Sequence, residues 1–181
     1  YSAVSEALER WAWYNCYNTN KHGFNIDDST TGMAAYPGLF NYEVKRKAYN
    51  ESVERYALMG FWEGKVRIEC RKSNIRNTDI YQLIPNFNDV VVILLCRNVP
   101  INENDFYVTY GFAGDRSAEK AFERANIELE RNQQVLDAFY KASDKKIPID
   151  IYEKRLLFFS SKQGYEIFME KINFCLGLRK N

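Results

Sequence analysis

The sequence predicts a mixed α+β fold, and two contrasting segments carry that prediction. The run VVVILLC at 90–96 is continuously apolar and is followed by the Asn-Val-Pro of 98–100, which is typical of a strand buried on both faces. Residues 118–129 instead place apolar side chains three and four positions apart, as an amphipathic helix does. Apolar patterns typical of a strand and of a helix therefore both occur in this chain.

The remaining elements follow from the same two patterns. Apolar stripes at helical spacing, uninterrupted by proline, predict helices at 1–14, 42–62, 117–140 and 161–174. Segments rich in Val, Ile, Tyr, Leu and Phe predict strands at 65–70, 89–97, 105–111 and 156–159. The polar, glycine-bearing residues 18–32 predict a loop or hairpin. Asp115 or Ser117 is the expected N-cap of the third helix.

Composition limits the classes of function. The chain has 181 residues, of which 46% are hydrophobic, enough for one buried core. Its 25 basic and 24 acidic residues nearly cancel, which argues against a nucleic-acid or anionic-membrane partner. No apolar stretch reaches the roughly 18 residues of a membrane span. The four cysteines are far apart, without zinc-site spacing, and Cys96 and Cys175 lie in apolar segments as buried thiols do. We expect a cytoplasmic protein.

Three predicted helices carry an arginine and a glutamate four positions apart. The pairs are Glu6 with Arg10, Glu51 with Arg55, and Arg124 with Glu128, and Glu43 precedes Glu51 on the same stripe. Such pairs are common on solvated helices, where each adds only about 0.2 to 0.5 kcal/mol. Here the charges border apolar stripes, and partly buried charges need partners.

Three such faces, turned toward one another, would line a hollow with carboxylates and guanidinium groups. Carboxylates are the hard oxygen ligands that Mg²⁺ prefers, and the planar arginine fork matches phosphate oxygens. Together they favour a nucleotide triphosphate with its metal ions. The sequence contains no Walker A loop, GxGxxG fingerprint or protein-kinase motif set.

Three segments in order resemble the YcaO family. They are SAVSEALER at 2–10, TGMAA at 31–35 followed by EVKRKAYNESVERY at 43–56, and GFAGDRSAEKAFERANIELER at 111–131. The family shows an SAxxExxER helix, then an NGxAAG-like turn with an ExxxxxxxExxxR helix, then a glycine-bearing turn with an AxxRAxxE helix. The resemblance implies a mainly antiparallel sheet packed with long helices that carry an ATP/Mg site. It also implies one YcaO-like domain over 1–181 that lacks its N-terminal part.

The resemblance further implies roles for single residues. The expected Mg²⁺ ligands are Glu6, Glu43, Glu51 and Glu128. The expected ATP contacts are Arg10, Arg55, Arg124 and Asn41, the last being the nearest match to a polar residue that follows the family's turn. Glu9 and Glu54 are expected to be structural neighbours of these side chains.

The activity implied by the resemblance is ATP-dependent phosphorylation of a peptide backbone amide, which gives an azoline, a thioamide or an amidine. The chain ends GLRKN, without the proline-rich tail of azoline-forming members, which favours thioamide formation. The expected partners are a peptide substrate and a protein for substrate recognition or sulfur delivery. The alternative is a non-catalytic YcaO-like subunit that binds nucleotide or serves as a scaffold, and the short segment between Arg10 and Glu43 favours this alternative.

Two further features of the sequence bear on other classes of function. His22 is the only histidine and has no identifiable Cys or Ser partner, which argues against a triad hydrolase. An aromatic cluster at Trp11, Trp13, Tyr14 and Tyr17 is suited to stacking on an adenine or a base, but such clusters more often form core or an oligomer interface, which leaves a homodimer open.

Overall fold

A computed structural model describes Trp11 and residues 41–86, 89–103, 105–141, 147–148 and 151–178. Of the helix predicted at 1–14, only Trp11 is described, and it is helical. The loop predicted at 18–32 lies outside the described residues, as do Glu6, Arg10 and His22.

The described elements confirm the α+β prediction. They are the helices α1 (Asn41–Trp62), α2 (Ala118–Tyr140), α3 (Ile151–Ser160) and α4 (Lys162–Leu176) and the strands β1 (Arg67–Arg71), β2 (Thr78–Ile84), β3 (Val91–Pro100) and β4 (Phe106–Asp115). Ser117 is the N-cap of α2, and its hydroxyl accepts the Lys120 N–H. The capping prediction is therefore confirmed for one of its two candidates.

The prediction of a strand at 156–159 is wrong. These residues are the second half of α3, in which Leu156 and Leu157 pack against a cluster that contains Tyr107 and Leu136. A short apolar run has no period that separates strand from buried helix, so packing decides its conformation. At the end of α3 the Ser161 N–H bonds to the Leu157 carbonyl, and the Ser161 hydroxyl caps α4 through the Gly164 N–H.

The four strands form one antiparallel sheet in the order β1-β2-β3-β4. Sequence patterning missed β2, whose register is set by pairs such as Ile80 with Leu95 and Leu83 with Val92. Strand β3 lies between β2 and β4, and its residues from Val92 to Cys96 are all buried. This confirms the prediction that the apolar run is a central strand covered on both faces.

Helix α2 covers one face of the sheet through small residues. Ala121, Ala125 and Leu129 are fully buried against a cluster that includes Ile93 and Leu95. Gly111 on β4 lets the helix come this close, because a Cβ there would lie 2.1 Å from the Ala125 carbonyl oxygen. The backbones of α2 and β4 therefore approach more closely than a side chain at this position would allow.

Aromatic rings fill the opposite face. The Phe168 ring of α4 lies 4.7 Å from that of Tyr110 and 5.9 Å from that of Phe61. Cys96 and Cys175 are buried, and burial raises the pKa of both thiols, which confirms them as buried thiols. The Cys175 thiol donates to the Phe61 carbonyl at 3.5 Å.

The chain divides into two compact units, Tyr1–Tyr56 and Ala57–Asn181. The first is described through Trp11 and the α1 residues up to Tyr56, and the second contains the sheet and helices α2 to α4. The prediction of a single domain over 1–181 stays a prediction. Among the described helices, none has both the length and the apolar character needed to cross a membrane.

Candidate functional site

Helix α1 positions four of the predicted site residues in the first unit. Asn41 is its first residue. Glu51 and Arg55 lie one turn apart and form an ion pair, with 3.9 Å between Oε1 and Nη2. Glu43 is paired differently, because Arg46 donates to its carboxylate from Nε at 3.0 Å. The mutual reach that spacing predicts for Glu51 and Arg55 is confirmed, whereas Arg46 was not anticipated.

The same helix carries a second acidic side chain that is more buried. Glu54 is only 7% exposed and Asn50 only 4%. Both lie on the stripe of Val53 and Ala57, which are buried. The signal for this was present in the sequence, because positions 50, 53, 54 and 57 recur at helical spacing. Burial makes Glu54 a further carboxylate to consider beside Glu51.

Helix α2 positions Arg124 in the second unit. The Arg124 Nη1 atom donates to the Gly114 carbonyl at 3.0 Å. The same nitrogen lies 3.6 Å from Oδ2 of Asp115, and the Arg124 side chain remains 44% exposed. The guanidinium is thus held at Nη1, and the side chain as a whole is partly exposed.

Glu128 lies one turn further along α2 and has a backbone partner. Its Oε2 accepts the Phe112 N–H at 3.4 Å. One more turn along, the Asn132 Nδ2 donates to the Tyr110 carbonyl at 2.8 Å. We call Arg124, Glu128 and Asn132 the edge stripe.

The edge stripe contacts alternate residues of β4. Among the strands that the structure describes, β4 is an outer one, and every second residue of a strand directs its backbone groups away from a given neighbouring strand. Tyr110, Phe112 and Gly114 are alternate residues, and each is bonded to one side chain of the stripe. The side chains of the stripe therefore contribute hydrogen bonds to the backbone of β4.

Tyr152 on α3 completes this arrangement. Its hydroxyl donates to Oδ1 of Asn132 at 2.5 Å. Burial is the main cause that raises the pKa of Tyr152, and the positive charge of Arg131 opposes it. The phenol therefore keeps the proton that it donates.

Each unit, taken by itself, carries charged groups whose ligand chemistry is known. Carboxylates such as Glu51 and Glu128 fit Mg²⁺, and the exposed guanidinium of Arg124 fits phosphate oxygens. Within the residues that the structure describes, no three His, Cys, Asp or Glu side chains form a group able to hold a metal ion. The predicted ligand Glu6 and the predicted phosphate contact Arg10 lie outside those residues. The convergence of the three helical faces stays a prediction.

Searches of protein-family models, of curated proteins and of solved structures found no match for this chain.

Proposed function

We propose that the chain binds ATP with Mg²⁺ and activates backbone amides of a peptide by phosphorylation. The support is the ordered set of three motifs together with the state of Arg124, a residue that those motifs designate for phosphate. Its guanidinium is held at Nη1 by a carbonyl and a carboxylate, and the side chain as a whole is 44% exposed. An arginine held at one nitrogen is suited to binding an anion through the others.

The proposed reaction needs little covalent machinery from the protein. A nucleophile forms a bond to the amide carbon, and the amide oxygen attacks the γ-phosphorus as the bond to ADP breaks. The carbon–oxygen bond then breaks, phosphate leaves with that oxygen, and the adduct loses a proton to solvent as the new double bond to carbon forms. Bound Mg²⁺ would neutralise charge on the phosphates. The carboxylates Glu6, Glu43, Glu51 and Glu128 would hold it, and the arginines Arg10, Arg55 and Arg124 would orient the phosphates, as would Asn41.

Substrate recognition would come from a partner protein in this proposal. Peptide binding and sulfur delivery are the roles that such a partner would supply. Thioamide formation is one product class of this proposal, beside azoline and amidine formation.

One observation favours a second candidate function, a non-catalytic scaffold. Glu128 and Arg124 each bond to the backbone of β4. A carboxylate that satisfies a strand N–H contributes to the fold whether or not nucleotide is present. In the scaffold alternative the charged helices have this structural role, with or without bound nucleotide, and no catalytic one.

Calorimetry with ATP and Mg²⁺ tests the first proposal. We expect Glu51→Gln to lower the affinity about tenfold or more, because it removes a charged ligand while keeping the shape. The matched control is Glu63→Gln, since Glu63 is 52% exposed and pairs only with Lys65 among the ion pairs of the described residues. Equal affinity in the wild type and in Glu51→Gln would show that the site assignment is wrong.

An assay of phosphate release distinguishes between the proposed enzyme and the non-catalytic scaffold. The wild-type chain would be incubated with ATP, Mg²⁺, a sulfide source and a peptide library, and free phosphate and peptide mass would be measured. An enzyme releases phosphate only when peptide is present. Nucleotide binding without peptide-dependent release would support the scaffold.

A further inference from the structure

Asp115 is a buried carboxylate, and each of its two oxygens contacts a different group. It is the last residue of β4 and is only 8% exposed. One oxygen, Oδ1, accepts the Ser117 N–H at 3.1 Å. The other, Oδ2, lies 3.6 Å from Nη1 of Arg124. A single buried carboxylate thus connects the turn before α2 with the first side chain of the edge stripe.

Burial explains why this carboxylate and Arg124 stay together. A carboxylate removed from water is costly unless it is hydrogen-bonded and its charge is balanced. The Ser117 N–H supplies a hydrogen bond, but it carries no charge. In the described part of the chain, the positive charge that pairs with Asp115 is that of Arg124.

The geometry also decides which part of Arg124 is held. The Gly114 carbonyl and the Asp115 carboxylate both contact Nη1. Among the contacts of the described residues, none involves Nε or Nη2 of Arg124. Those two nitrogens form one side of the planar fork, the side that binds two oxygens of a phosphate together. The pairing therefore fixes the guanidinium and leaves a bidentate side available.

We propose that Asp115 is a positioning residue that orders Arg124 for binding a nucleotide phosphate. This inference rests on the proposed function. Asp115 itself does not touch the phosphate in this proposal. Its effect is to restrict the rotamers of a flexible side chain before the ligand arrives, so that less conformational entropy is lost on binding.

Asp115→Asn is the test variant, because it keeps the shape and an oxygen for the Ser117 N–H while removing the charge. We expect calorimetry with ATP and Mg²⁺ to show about a tenfold loss of affinity, within the range of coupling between contacting residues. In an Arg124→Lys background, which has no fork to orient, the same change is expected to have little further effect on affinity.

Ser117→Ala is the matched control. It removes the hydroxyl that caps α2 at the Lys120 N–H, but it keeps the backbone N–H that bonds to Asp115. A general loosening of the start of α2 would lower ATP affinity in this variant as well. We expect Ser117→Ala to lower the melting temperature while leaving ATP affinity within about twofold of the wild type. All titrations are made well below the lowest melting temperature of the set.

A second readout follows the guanidinium directly. The ¹⁵N relaxation of the Arg124 Nε–H reports side-chain order without any ligand. We expect this group to be ordered in the wild type and in Ser117→Ala, and mobile in Asp115→Asn. An Nε–H that stays equally ordered in Asp115→Asn would overturn the proposal.

The outcomes also separate this inference from the function on which it rests. If the wild-type chain binds no ATP, the proposed function fails and the role of Asp115 fails with it. If the wild type binds ATP and Asp115→Asn binds equally well, only the role of Asp115 is overturned. If Asp115→Asn loses as much affinity with Lys at position 124 as with Arg, its effect does not pass through Arg124, and the inference is again wrong.

Discussion

Helices α1 and α2 carry the same charge spacing but use it differently. On α1, Glu51 and Arg55 pair with each other across one turn. On α2, Arg124 bonds to the Gly114 carbonyl and Glu128 to the Phe112 N–H. The difference lies in what is next to the helix, because α2 packs closely on β4 at Gly111. Spacing predicts which side chains share a face, and the neighbouring element decides what they bind.

The largest expected effect comes from forcing α2 away from β4. In Gly111→Ala the new Cβ would lie 2.1 Å from the Ala125 carbonyl oxygen and 2.5 Å from the Leu129 nitrogen. Both are backbone atoms that cannot rotate away, so we expect a loss of roughly 3 kcal/mol in the free energy of unfolding. Urea denaturation measures it.

Gly177→Ala is the control for that change. The nearest atom to a Cβ at Gly177 is 3.4 Å away, and its φ of −75° suits alanine. We expect the free energy of unfolding to change by no more than about 0.5 kcal/mol. Equal effects of the two substitutions would contradict the close approach of α2 to β4.

A smaller effect is expected from shortening the edge stripe. Asn132 is 6% exposed, and it bonds both to the Tyr110 carbonyl and to the Tyr152 hydroxyl. Asn132→Ala removes the hydrogen-bond partner of both groups, and we expect the free energy of unfolding to fall by about 2 kcal/mol. Gln134→Ala, at an exposed position of α2, is the control in the same denaturation series. A stability unchanged by Asn132→Ala would show that the stripe does not support the strand.

The smallest effect is expected on α1. A double-mutant cycle that combines Glu51→Gln with Arg55→Gln isolates the coupling between the two side chains, which are 20% and 36% exposed. We expect a coupling of about 0.3 to 0.5 kcal/mol, as for other pairs one helical turn apart. A coupling free energy above about 1.5 kcal/mol would contradict the interpretation of Glu51 and Arg55 as an ordinary ion pair on a helix surface.

Sequence periodicity predicted the long elements well. Helices α1 and α2 were placed within a residue of their ends, because each has a sustained apolar stripe and no proline. Strand β3 was predicted because the run of residues 90–96 is too apolar to lie on the protein surface. The strand β2 was missed, since its segment TDIYQLI mixes polar and apolar residues without strict alternation.

The site was only partly accessible from the sequence. The Glu51–Arg55 pair follows from helical geometry, which is local. The contacts of Arg124 with Gly114 and Asp115 depend on how closely α2 packs on β4, and that depends on Gly111. Such packing is a property of residues distant in sequence, so spacing along one helix does not reveal it. Asp115 was predicted only as a cap.

The edge stripe has a consequence for how the protein behaves in concentrated solution. Strand β4 is ten residues long, and an exposed strand edge of that length is a template on which another chain can add a strand. Glu128 and Asn132 bond to two backbone groups of β4, the Phe112 N–H and the Tyr110 carbonyl. Because side chains bonded in this way compete with an added strand for the same groups, we expect changes made on α2 to probe nucleotide binding to alter solubility as well.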